Sequence, residues 1–162
     1  MTESLKMIDH SAIKTNQVTI ILLNILAFVL NMPWLAALVA LVMLLGTLFK
    51  VPGFGFIYKY VLKPQGWVKP HVLLDNDSPH RFAQAFGGTV MLAGSLALNF
   101  GLTTLGWGLV WLVAALAALN AFGGFCVGCA VYYWLGRLHL PGFTQTPPAG
   151  TVPGMRPKLE EN

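Results

Sequence analysis

Apolar residues in this chain come in continuous blocks separated by short polar or glycine-proline breaks. They lack the three-and-four spacing of a helix with one buried face. Val18 to Leu30 is apolar apart from Thr19 and Asn24, and Trp34 to Phe49 is a second block. Asn31-Met32-Pro33 lies between them. Asn is a good N-cap and Pro suits the first helical turn, so the break predicts a helical hairpin. Both blocks are short for a bilayer span of about 20 residues. The first gains length by starting near Ser11, and Lys50 can snorkel at the end of the second. Asp75-Asn76-Asp77-Ser78-Pro79 is the strongest helix start in the chain. Ser78 is the expected N-cap, Pro79 the first helical residue, and the carboxylates of Asp75 and Asp77 suit the positive end of the dipole. That helix is expected to run to about Phe100, followed by a fourth apolar block from Trp107 to Ala121.

Composition turns these helices into membrane helices. The 162 residues are 56% hydrophobic and only 10% charged, against roughly 25% charged residues in soluble domains. The fold expected is an all-α integral membrane protein of four transmembrane helices, paired as two hairpins. Nucleic-acid binding is excluded as a class, since no basic helix or basic-aromatic patch is present. A cleaved signal peptide also fits the basic start and the first block, but the second block follows at once and favours a hairpin.

The halves resemble each other. Ser11-Ala12-Ile13-Lys14-Thr15-Asn16-Gln17 matches Ser78-Pro79-His80-Arg81-Phe82-Ala83-Gln84, and Gly53-Phe54 through Tyr60 resembles Gly124-Phe125 through Tyr132. The expectation is a parallel tandem repeat, 8–63 and 75–138, each half ending in a short aromatic-rich helical segment. A single membrane domain then covers 1–143, and the Pro-rich polar segment 144–162 is expected to be a disordered cytoplasmic tail. All ten Lys and Arg fall before the first block, between the second and third, or after the last. The positive-inside rule therefore puts both termini in the cytoplasm of a multi-pass protein of the inner (plasma) membrane.

The only cysteines, Cys126 and Cys129, follow the Gly123-Gly124 break near the expected cytoplasmic boundary. A helix restarting at Phe125 stacks the two thiols on one face and puts Cys126 at the positive helix end, which favours thiolate. In a reducing cytoplasm the resting state expected is two thiols. Such a pair can exchange disulfides, carry sulfur, or clamp a soft metal such as Cu(I) or Zn(II). Two thiolates do not close a zinc site, so His71 or His80 would have to join. The plainer readings are small packing thiols, interfacial histidines, helix-start carboxylates at Asp75 and Asp77, and Arg81 and Gln84 acting with Lys14 and Gln17 as headgroup anchors or bonds between repeats.

Asp-x-Asp-Ser-Pro-His-Arg-Phe-Ala-Gln before one hairpin and Gly-Phe-Cys-Val-Gly-Cys-Ala-Val-Tyr-Tyr after it resemble the bacterial membrane proteins of domain-of-unknown-function family 4395, over residues 8 to 138. The resemblance implies an integral membrane protein and brings no activity, cofactor or catalytic residue. Three classes remain open: thiol or sulfur chemistry at Cys126 and Cys129, with no general base evident in the sequence; soft-metal handling; and a non-catalytic scaffold or small transporter subunit. Besides the lipid bilayer, the partner of the first class would be a thioredoxin-like or sulfur-carrier protein. Four-helix quinone-linked disulfide enzymes look alike, but they carry a second cysteine pair that this chain lacks.

Overall fold

The computed structural model describes residues 5–157, which are mostly helical. Strand β1 (Lys6–Asp9) leads into helix α1 (His10–Val29), and a three-residue turn leads to α2 (Pro33–Leu48). A short segment α3 (Gly55–Ile57) continues as a π-helical turn over Tyr58–Leu62. Strand β2 (Val72–Asp75) precedes α4 (Asp77–Asn99), followed by α5 (Thr103–Gly123) and α6 (Val127–Arg137).

Two details differ from an all-helical expectation. The polar segments ahead of α1 and α4 pair as an antiparallel two-stranded sheet with Lys6 opposite Asp75 and Asp9 opposite Val72. No alternating apolar pattern signals these strands; pairing satisfies backbone groups that would otherwise lie unbonded where the two helices start. In addition, α4 starts at Asp77 with Asn76 as its N-cap residue. Ser78 lies inside the first turn, so the cap expected there sits two residues earlier. The Asn76 side chain is turned away from the helix, donating to Tyr133 Oη at 3.1 Å and Thr146 O at 2.7 Å.

The long helices form a bundle in which α1 and α4 each pack on both α2 and α5, so α1 and α4 stand diagonally. Their starts lie at one end, beside the sheet, and Asn24 of α1 meets Met91 Sδ of α4 at 3.7 Å midway along. The turns after α1 and α4 carry the same backbone bonds: Met32 N donates to Ala27 O at 2.8 Å and Leu102 N to Ala97 O at 2.9 Å, with Asn31 and Gly101 at positive φ. The core combines small and slender side chains, including Ala27, Ala36, Val39, Met91 and Val110, with the aromatic rings of Phe54 and Trp107.

Gln84 of α4 clamps the end of α2. Its Nε2 donates to Met43 O at 2.9 Å and Val51 O at 3.2 Å, and its Oε1 accepts from Gly53 N at 3.3 Å. Asn16 of α1 takes the next amide, Phe54 N, at 2.8 Å. The chain can turn sharply here because these side chains bond backbone groups that the end of α2 leaves free.

Large apolar side chains face outward along the helices, among them Leu22, Val29, Leu48, Phe86 and Phe100. By length and composition, two helices could cross a membrane: α1 at mean hydropathy 1.6 and α5 at 1.8. Four were expected. At 16 residues α2 is too short, and α4 begins with polar residues. Those two helices are weak support for membrane association.

Residues 144–157 have no helix or regular strand, as the proline content implies, yet they do not lie free. Cys126 N donates to Gly154 O at 2.7 Å, and Arg156 N to Gly124 O at 2.9 Å. Residues 158–162 of the expected tail lie outside the described residues.

Gln84→Ala should lower stability by about 2 kcal/mol, the net worth of two or three hydrogen bonds. A fluorimetric melt of the detergent-solubilised protein measures this, and a melting temperature unchanged from wild type would show that the clamp is dispensable.

Candidate functional site

Helix α5 ends on Gly124, whose φ of +68° suits glycine. This reverses the chain so that Cys126 becomes the N-cap of α6, its Sγ accepting from Cys129 N at 3.2 Å. A Cβ on Gly128 would lie 2.6 Å from that of Ala83, so this glycine is what lets α6 lie against α4. Cys126 and Cys129 are joined as a disulfide, with Cα atoms 5.2 Å apart. Both are buried, 6% and 3% exposed. The resting dithiol expected from the sequence is thus corrected. The two residues lie within one helical turn, and the N-cap geometry brings the sulfurs together.

A histidine and a carboxylate stand behind the sulfurs. His80 Nδ1 lies 3.6 Å from Cys129 Sγ, and its Nε2 is 2.9 Å from Asp75 Oδ2. A ring nitrogen facing a carboxylate carries the proton, so Nδ1 is left as an acceptor pointing at sulfur. The sequence did not reveal that a histidine stands beside the sulfurs. His10 Nε2 approaches the same Asp75 oxygen at 3.2 Å, outside hydrogen-bonding alignment. Asp75 is 5% exposed, and its Oδ1 accepts from Asn76 N at 2.8 Å. Burial alone would raise its pKa, but the facing imidazoles of His10 and His80 and the Asn76 amide outweigh that and hold the carboxyl well below its usual range. Burial, followed by the nearby Asp75 charge, pushes the Tyr133 phenol up.

The other candidates separate. Asp77 turns outward to Lys6 Nζ at 2.8 Å. His71 is exposed, its ring 6.4 Å from that of His10, and it is not among the groups that could share a metal. His80 Nδ1 or Nε2 and the sulfurs of Cys126 and Cys129 lie within 4.8 Å of one another, as do donors of His10, Asp75 and His80. A soft cation fits the first set once the disulfide is reduced.

Two cavities meet at Cys126 and His80. One of about 20 Å³, also touched by His10, Asp75, Cys129 and Tyr133, holds about one water. The other, about 350 Å³, is mostly apolar and reaches Arg81 and Gln17. Arg81 Nε is buried with no hydrogen-bond partner among the described residues.

Residues 8–137 match the family model described as Domain of unknown function (DUF4395). The chain belongs to the DUF4395 family. No curated protein and no solved structure matches it. The matched span includes every residue of the sulfur–imidazole–carboxylate row; Arg156 and Gly154, which cover it, lie beyond. His10, Asn76, Tyr133 and Arg156 were not foreseen as site residues. His10 directly precedes the Ser11 that matches Ser78, and that alignment was the available signal for it.

Gly128→Ala should cost about 1–3 kcal/mol by overpacking and should widen the Cys129–His80 gap; a melt and a crystal structure of the variant would check both. Because the folded-state pKa of Asp75 is depressed, its contribution is complete above pH ~4 and drains away as pH falls below that value. Asp75→Asn should lower stability at neutral pH by roughly 1–3 kcal/mol and flatten the acid limb of the stability curve. An acid limb as steep as in wild type would show that other carboxylates govern it.

Proposed function

We propose that this DUF4395 protein is a membrane-embedded thiol–disulfide oxidoreductase whose working pair is Cys126 and Cys129, with His80 as proton carrier and Asp75 as its orienting carboxylate. The observation that carries the reading is the unbroken row from Cys129 Sγ through both nitrogens of His80 to Asp75. A packing disulfide needs no base beside it, and a buried carboxylate is costly unless it serves its partners.

The membrane setting rests on the outward apolar faces of the helices together with α1 and α5. We read all four long helices as spans, arranged as two parallel hairpins, with the sheet and the cysteine segment at the cytoplasmic face. Two features support the parallel repeat: α1 and α4 start at the same end, and their turns share one bond pattern. The distribution of Lys and Arg supports the orientation. A disulfide facing the cytoplasm is typically transient and catalytic, which again favours turnover over structure.

In the reductive half-cycle a thiolate attacks Cys126 Sγ and forms a mixed disulfide. The Cys126–Cys129 bond breaks, and His80, having taken up the proton that the donor thiol released, passes it to the departing Cys129 sulfur. A second thiol of the donor then releases the mixed disulfide, leaving Cys126 and Cys129 reduced and the donor oxidised. Cys126 is the better leaving and attacking group, since the Cys129 amide and the start of α6 stabilise its thiolate. The donor would be a thioredoxin-like or sulfur-carrier protein, which must lift residues 154–156 off the cysteine turn to reach Cys126.

After reduction, Cys126 should be alkylated by iodoacetamide faster than Cys129 at neutral pH. Cys129→Ser should trap a mixed disulfide at Cys126. His80→Ala should slow reoxidation by about 10²-fold or more, the usual worth of a positioned base. Rates of both thiols against pH decide the matter: two slow thiols with ordinary titration and no effect of His80→Ala would refute the redox reading. Protection of both until a chelator is added would favour the soft-metal clamp formed by Cys126, Cys129 and His80.

A further inference from the structure

We propose that the large cavity binds a lipid-soluble quinone, which takes two electrons and two protons from the reduced Cys126–Cys129 pair; this rests on the redox reading above. The cavity occupies the gap between the diagonal helices α1 and α4, and its lining ends one turn short of the Asn24–Met91 contact. Its volume of about 350 Å³ is that of a small-molecule site. Ile13, Ile20, Met43, Val113, Leu116 and Ala117 give it apolar walls, suited to an uncharged ring.

Two residues that line the cavity each carry an unmatched polar atom lying just beneath its wall. Gln17, 8% exposed, has its Oε1 buried without a partner, and Arg81 Nε is in the same condition. A buried polar atom left unpaired costs about 1–3 kcal/mol, so a ligand that offers Arg81 an acceptor oxygen and Gln17 a hydroxyl draws these two side chains round toward the cavity. A quinone offers the first as a carbonyl and the second after reduction. An acyl chain offers neither, and a fatty acid would turn its carboxylate lone pairs toward Gln17 Oε1.

The redox groups face the same space. Cys126 and His80 line both cavities, whereas Cys129 lines only the small one, so electrons leave through Cys126. The Cys126 thiol gives its proton to His80 and adds to a ring carbon as thiolate, forming an S–C bond while the electron pair moves onto a carbonyl oxygen, which takes that proton from His80 and leaves the imidazole free again. Cys129, deprotonated by His80, then attacks Cys126 Sγ. The S–S bond forms, the S–C bond breaks, and the second electron pair leaves on the ring, which receives the proton held by His80. The sum is dithiol plus quinone to disulfide plus quinol. A second cysteine pair is not needed if the donor delivers its electrons directly to Cys126.

The test uses the full-length protein in lipid nanodiscs, reduced and freed of reductant, with ubiquinone-1 as probe. Quinone absorbance follows its reduction, and equilibrium dialysis against the Cys126→Ser/Cys129→Ser double variant follows binding without turnover. The expected result is saturable binding to the double variant and one quinol formed per dithiol in wild type. Arg81→Ala and the cavity-filling Ala117→Phe, each confirmed folded by its melt, should raise the half-saturating quinone concentration on the order of tenfold or more. Unsaturable quinone reduction, equal rates in these variants, or a lipid retained in the cavity that quinone does not displace would overturn the proposal. Oxidation of the wild-type pair by diamide separates the two readings. Thiols that cycle with diamide but ignore quinone sink only the quinone site, and thiols that cycle with neither sink the redox reading as well.

Discussion

The buried carboxylate of Asp75 is the constraint from which the rest of this end of the molecule follows. An ionised group at 5% exposure must be compensated, and its compensation comes from three directions: His80 on α4, His10 on α1 and the backbone amide of Asn76. Those contacts draw the starts of the two diagonal helices to one point. Once His80 is held by its Nε2, its other nitrogen has a fixed direction, and that direction is toward Cys129. The orientation of the imidazole toward sulfur and the packing of the helix starts therefore depend on the same charge.

The covering segment belongs to the same logic. Gly154 accepts from Cys126 N, Arg156 returns to Gly124 O and reaches Asn120 O through Nη2 at 3.3 Å, and Thr146 O accepts from Asn76. The bonds to Cys126 N and Gly124 O satisfy backbone groups that the end of α5 and the start of α6 leave without a helical partner, and the bond from Asn76 ties the same segment to the start of α4. The segment keeps bulk water from the sulfurs while leaving Cys126 open to the large cavity, so access to the pair is set by the cavity wall and by how readily 154–156 lifts.

The helices were legible in the sequence because block-wise apolar runs and Asn-Met-Pro or Gly breaks are local signals. The cysteine turn was legible for the same reason: Gly124 and the three-residue spacing act within one turn. The sheet, the role of His10 and the docking of 144–157 were not legible. β1 and β2 carry no strand pattern, and their pairing joins residues nearly seventy positions apart. His10 reads as an ordinary polar residue before an apolar run, since its partner Asp75 is distant in the chain. The proline-rich composition of 144–157 reports the lack of regular structure correctly but says nothing of backbone bonds to 124–126. His80 was identified as a possible metal ligand, and the base role proposed for it rests on the contact with Asp75, which the sequence does not show.

The two matched glutamines show where the proposed repeat breaks down. Gln84 and Gln17 occupy the same place in the aligned segments, seven residues from Ser78 and Ser11 counting both ends. Gln84 spends its whole amide on the end of α2, bonding Met43 O, Val51 O and Gly53 N. The corresponding end of α5 is capped by its own glycine at 124 and by Arg156, so Gln17 has no such partner for its Oε1. Where the first half closes its turn with a glutamine, the second closes it with the segment that also covers the cysteines. The glutamine thereby released lines the cavity that ends at Cys126, its Oε1 just beneath the wall. A buried acceptor without a partner is destabilising and persists where something else offsets it; here the offset proposed is a ligand, placed beside the only sulfur that the cavity reaches.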